Sequence, residues 1–190
     1  QSQRGAMFGL DARIAIAILA AMALAVGASI VKTIPQMQAQ SLVQDIANYR
    51  AAVEGMQYDT GKNIADIIDE TGAVNKERRF AALNDRDVIN DADKPRWMGP
   101  YLKTRTADPT VHENFGQISL IEAEKDDYKT TTCTTCSYWL QIEAVPQTSF
   151  EVTNEEIDGA QETTPKDEGK VRWESDGSTE SLYVRLGNAL

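Results

Sequence analysis

The chain has 190 residues, a formal net charge of −10, one His and two Cys. That charge argues against a nucleic-acid partner, which calls for a basic footprint, and a single His argues against a polyhistidine metal site. Once an N-terminal stretch of some sixty residues is set aside, about 130 remain, enough for one domain with its own core.

The first element is predicted over 10–34. Arg13 and Lys32 bracket eighteen uncharged residues, IAIAILAAMALAVGASIV. Large and small residues alternate in it, which by itself suggests a strand. Length and Ala content decide for a helix, since a strand of eighteen apolar residues is anomalous and Ala is the best helix former. On a helix, steps of two spread the large side chains around the whole circumference, so lipid or other helices are expected on every side. Gly27, Ala28 and Ser29 permit close approach by neighbouring helices. Asp11 and Arg13 sit about 200° apart on a helix and cannot pair well within one chain. In a bundle each needs a partner on another copy, because an unpaired buried charge is costly. Both are therefore candidate subunit contacts.

Pro35 lacks an amide proton, which predicts a kink or local melt over 31–35. With Gly27 it marks a candidate point of helix flexibility. Beyond it, Leu42, Ile46, Tyr49, Val53 and Met56 step by four and three, the stripe of an amphipathic helix on which a domain should pack. Asp59-Thr60-Gly61 ends it. The two halves make roughly fifty residues, on the order of 70 Å of helix.

The middle of the chain is mixed. Asn63–Gly72 reads as a short helix or turn, and Phe80, Leu83 and Val88 have helical spacing. Residues 91–95 read as a polar loop, and Gly99-Pro100 as a turn between aromatics. From 115 onward GQISLIEAE, CSYWLQIEAVP, KVRWES and SLYVRLG are short, alternating and rich in β-branched or aromatic residues. They predict a four-stranded, mostly antiparallel sheet, with a hairpin at Asp176-Gly177. The acidic stretch 153–170 is expected to be a surface loop.

No catalytic constellation stands out. His112, with no nucleophile motif beside it, is expected in an exposed loop. Cys133 and Cys136 form a lone CxxC with three readings. They could be half a zinc site, a thioredoxin-like redox pair or a small structural disulfide. The last suits Thr-rich sequence before the pair and strand-like sequence after it. The acidic clusters Asp91/Asp93, Asp126/Asp127, Glu155/Glu156/Asp158 and Asp167/Glu168 read as solvated faces. Loop oxygens of this kind can hold calcium, although none of the clusters has the twelve-residue EF-hand spacing. No other cofactor is expected.

The layout resembles the type IV pilin and pseudopilin superfamily. Arg4, Gly5, Phe8, Asp11 and the apolar run are similar to its N-terminus. PRWMGPYLKTRTADP is similar to a segment of the major pseudopilins of type II secretion, here carried by Trp97, Gly99, Pro100, Tyr101, Leu102, Asp108 and Pro109. That pattern's next part is replaced by Thr110-Val111-His112, so the family's calcium loop does not carry over. The resemblance implies a leader cut by prepilin peptidase and an inner-membrane precursor. It implies a homo-oligomeric helical filament, extracellular or periplasmic, lifted into place by pilus or secretion machinery. Asp11 matches the family's acidic residue near the mature N-terminus. A cut after Gly5 would make it sixth, where the family's usual Glu is fifth.

The expected fold class is α+β and pilin-like, a long N-terminal helix packed on a C-terminal antiparallel sheet. The expected divisions are 1–34, an apolar helix anchoring the precursor and later lining the filament core; 35–60, its amphipathic half; 61–114, a variable helix and loop region; and 115–190, the sheet. Function is expected in assembly rather than catalysis. The rivals are a pseudopilin and, in another class, a single-pass membrane-anchored periplasmic binding or thiol-redox domain.

Overall fold

The computed structural model describes residues 4–68, 76–103, 106–159, 168–175 and 177–190, with side chains in the first helix given for 15–17, 19 and 36–60. The fold class is α+β with a four-stranded antiparallel sheet. The chain divides into two compact units, 1–37 and 38–190.

Helix α1, Arg4–Thr60, is assigned without interruption through Gly27 and Pro35. The local melt expected over 31–35 is therefore not found. A proline inside a helix forfeits one backbone bond, and the turns around it still hold the helical path. The side chains of Asp11, Arg13 and Pro35 lie outside the described residues, as does most of the run Ile14–Val31. In the first unit, Ile16 and Leu19 are about two-thirds exposed, at 66% and 65%. Among the described residues, no helix is long and apolar enough to cross a membrane.

In the second unit, α1 contributes the predicted stripe. Ala39, Leu42, Ile46, Val53 and Met56 are buried, and half-buried Tyr49 meets Phe80 edge to face at 5.2 Å. The helix ends where Gly61, at φ 66°, takes the left-handed conformation and donates its N–H to Gln57 O at 2.8 Å. That conformation is costly for a residue with a Cβ. A short helix α2, Ile64–Ile67, and helix α3, Lys76–Ala81, follow. Two 3-10 turns, Arg86–Val88 and Lys94–Arg96, occupy the rest of the middle region. The second falls where a polar loop was expected.

The sheet comprises β1 (Ile118–Glu124), β2 (Cys136–Glu143), β3 (Val171–Ser175) and β4 (Glu180–Asn188), in the order β1-β2-β4-β3. Every pairing is antiparallel, and β3 and β4 form the expected hairpin. Alternation sorts the side chains. Ile118, Leu120, Leu140, Ile142, Leu182 and Val184 join the α1 stripe in one core. Trp139, Tyr183 and Ala123 form a smaller cluster on the opposite face, against Tyr128 and Ile121. Central strand β2 is consequently buried on both faces.

One element was not foreseen. Residues 147–157 form helix α4, which places the first part of the supposed acidic loop in a helix. Its spacing was masked by polar residues that turn out to be buried, namely Ser149, Thr153 and Asn154 beside Phe150. Thr153 Oγ1 satisfies itself by donating to Ser149 O at 2.8 Å. Phe150 stacks near Trp173, whose Nε1 donates to Val145 O. Asp158, just past the helix, accepts the N–H groups of Lys170 and Val171 at 2.7 Å each.

Full burial of a Leu-sized side chain is worth about 2 kcal/mol in transfer alone, and truncation leaves a cavity as well. We expect Leu42→Ala to destabilise the folded chain by about 2–5 kcal/mol in urea titrations, and Gln44→Ala, on the exposed side of the helix, by less than about 0.5 kcal/mol.

Candidate functional site

The six residues from Trp97 to Leu102 form a strap between the end of α1 and the tail of α3. Trp97 Nε1 donates to Ala82 O at 2.9 Å, and Tyr101 N donates to Leu83 O at 2.9 Å. Tyr101 O–H donates to Asp59 Oδ2 at 2.8 Å and accepts the Met98 N–H at 3.1 Å. The two rings meet edge to face at 5.7 Å, and Leu102 is buried in the main core. The Gly99–Pro100 bond is cis. A Cβ on Gly99 would fall 2.6 Å from the Trp97 indole and 2.9 Å from the Tyr101 ring, so the aromatic pair closes only over a glycine. One on Gly55 would lie 3.4 Å from Tyr101, which is how closely the ring approaches α1. Trp97, Gly99, Tyr101 and Leu102 thus each have a packing or hydrogen-bonding task.

Burial is the main reason the Tyr101 hydroxyl titrates high, pushed up to about 12; the Met98 amide opposes the shift and Asp59 adds to it. Tyr128 is also raised to about 12, mainly by burial and then by the Glu174 carboxylate.

Beside the strap lies a cleft of about 630 Å³, walled by α1 at Asp45, Asn48 and Tyr49, floored by Phe80 and Leu102, and closed opposite by Val111 and His112. His112 is 4% exposed, which corrects the expectation of an exposed loop residue. Its ring lies 4.9 Å from Phe115. Nδ1 accepts the Asn114 N–H at 3.1 Å, so the proton of the neutral ring sits on Nε2, which faces Asp45 Oδ2 at 3.4 Å. The imidazole holds the 106–117 segment against α1. Sequence spacing gave no sign of this pair, because 67 positions separate its members.

Cys133 and Cys136 are bonded to each other. Cys136 opens β2, and its carbonyl accepts the Ala189 N–H at 2.9 Å. A strand and not a helix begins at the pair, so it lacks the helix N-terminus that activates a redox thiolate. The disulfide pins the turn that leads into β2.

The acidic clusters are dispersed onto separate partners. Asp93 pairs with Lys62 at 2.8 Å, Asp91 with Lys94 at 2.8 Å, and Asp126 with Arg185 at 3.2 Å. Asp127 accepts from Thr130 Oγ1 and the Lys129 N–H, which hold its carboxyl below the usual range. Asp167 lies outside the described residues. Among the described residues, no group of three or more His, Cys, Asp or Glu is arranged to hold a metal.

No family model matches the chain, and neither a curated protein nor a solved structure matches it.

The strap gives an alkaline signature. Below pH about 10 Tyr101 is protonated in both the folded and the unfolded chain, and its contribution to stability is complete. Above that the unfolded tyrosine releases its proton while the folded one keeps it up to about 12, so stability falls across this window. We expect unfolding curves to show that decline, and Tyr101→Phe to make it shallower. At neutral pH the same variant should lose about 1–2 kcal/mol with the Asp59 and Met98 bonds.

Proposed function

We propose that the chain is a structural subunit of a helical filament of the type IV pilus kind. Helix α1 carries the reading. It is one element of 57 residues, with an uncharged Ala-rich run over 14–31 in its first half and, in its second, a stripe buried in one core with an antiparallel sheet. Ile16 and Leu19, exposed in the single chain, are large apolar groups that an assembled bundle would cover. Assembly is the mechanism. The run 14–31 moves from the inner membrane into a bundle of like helices, and the sheet domain rides on the second half of the same helix. Asp11 and Arg13 at the edge of the run set the register between copies. Gly27 and Pro35 are where the bundle would bend.

A second reading, a pseudopilin of a secretion system, is favoured by the Trp97–Leu102 strap, whose residues are those of the resemblance. The two readings share the helix and differ in whether the filament leaves the periplasm.

Electron microscopy of material sheared from cells making this chain separates them. We expect thin filaments with the native chain and their loss with Asp11→Ala. Filaments that persist unchanged in the variant remove Asp11 from the assembly contact. Their absence from both samples removes the surface pilus, and crosslinking in membranes then decides between a short pseudopilus and an anchored monomer. Crosslinked ladders mark the former.

A further inference from the structure

A second cleft, of about 470 Å³, opens at the start of β3 and is lined by Asp126, Asp158, Glu168, Lys170, Arg172 and Arg185. Arg172 is the unusual member. It projects from β3 on the sheet face away from the main core, because its neighbour Val171 belongs to that core. Its guanidinium carbon stands 5.1 Å from the Trp139 ring centroid and 6.0 Å from that of Tyr128. Trp139 is fully buried, and Tyr128 stacks on Tyr183 at 3.9 Å with an interplanar angle of 22°. The guanidinium is therefore backed by a fixed aromatic wall.

The group has no acceptor. Its Nε is buried without a hydrogen-bond partner, and among the described residues nothing accepts from its terminal nitrogens. Carboxylates are near: Glu168, exposed at the rim of the cleft, makes no hydrogen bond to the guanidinium, and the others are committed elsewhere. Asp126 is on Arg185, Asp127 on Thr130 and the Lys129 amide, and Asp158 on two backbone N–H groups. Glu174, on the same face of β3, accepts from Lys129 Nζ at 2.7 Å and from the Tyr128 hydroxyl at 3.1 Å. A partly buried cation whose donors are all unused, in a chain with ten more negative than positive charges, is poorly explained by stability alone.

We propose that this cleft binds a carboxylate, held end-on by the two terminal nitrogens of Arg172. With Nε sealed against the rings, the terminal pair is the end that faces the opening, and its planar fork matches a planar two-oxygen acceptor. The aromatic wall fixes the plane of the fork in advance, which lowers the ordering cost of binding. Lys170, exposed at the rim, adds a second positive charge. A monoanion suits the site better than phosphate or sulfate, because Asp126, Asp158 and Glu168 line the same cleft and repel a second negative charge.

The test uses the whole chain in detergent. Acetate, glucuronate and inorganic phosphate are each titrated against chloride at equal ionic strength, following by NMR the Arg172 Nε–H resonance in the native chain and, in native chain and variants alike, the indole N–H of Trp139, whose ring lies under the guanidinium. The resonance is assigned by its loss in Arg172→Lys. We expect a saturable shift with acetate and glucuronate at millimolar levels, little response to phosphate, and at least a roughly tenfold weakening in Arg172→Lys, which keeps the charge and loses the fork. Tighter binding of glucuronate than of acetate would assign the natural carboxylate to an acidic sugar; equal binding would assign it to a simple carboxylate such as a peptide side chain. Thermal melts of Arg172→Lys and Arg172→Gln separate lost binding from lost folding. Shifts that never saturate, phosphate binding as tightly as acetate, or unchanged binding in a folded Arg172→Lys would overturn the proposal.

Discussion

Burial of one side of α1, from Ala39 to Met56, against the core face of the sheet is the contact around which the second unit is organised. A helix that must cover a twisted four-stranded sheet fixes which face of each strand turns inward, and alternation then fixes the other face. The inward set supplies the main core. The outward set is left to Trp139, Tyr183 and Arg172, which is why an aromatic wall exists there at all. The same helix end holds Gly55 and Asp59, so the strap closes onto an element already fixed by packing. The hydrogen bonds of Tyr101 thus add direction to a contact whose strength is apolar.

Elements with one clean periodicity were legible in the sequence. The α1 stripe, the four strands and the β3–β4 hairpin fall where their spacing put them, because each buries one face and leaves the other wet. Helix α4 escaped because its buried face is Ser149, Phe150, Thr153 and Asn154, a set that reads as polar until the hydroxyl of Thr153 is seen to bond within the helix. His112 escaped for a related reason. An isolated imidazole has no local pattern, and only the fold brings it to Asp45 and Phe115. The strap was legible as a motif, but its task was not, since Ala82, Leu83 and Asp59 meet it only in three dimensions. Arg172 carried no local signal either, for the residues around it come from three strands and a loop.

The two clefts differ in kind. The one beside α1 has an internal polar contact between Asp45 and the neutral His112 ring and serves to hold the 106–117 segment down. The one at β3 has a cation with its hydrogen bonds unmade. Polar groups that satisfy one another tell of architecture, whereas a donor set left open beside a rigid wall is an invitation to a ligand.

The position of Asp158 has a consequence for how copies of this chain can meet. Arg185 N–H donates to Lys170 O, so the next amide, that of Val171, points away from β4 and toward the open side of the sheet. Asp158 occupies that amide. An extended segment from another molecule, seeking to continue the sheet beyond β3, finds its first donor taken and a negative charge in its path. At high local concentration, ladder growth from this edge would end in aggregates. A single carboxylate thus blunts the β3 edge of the sheet where that strand begins.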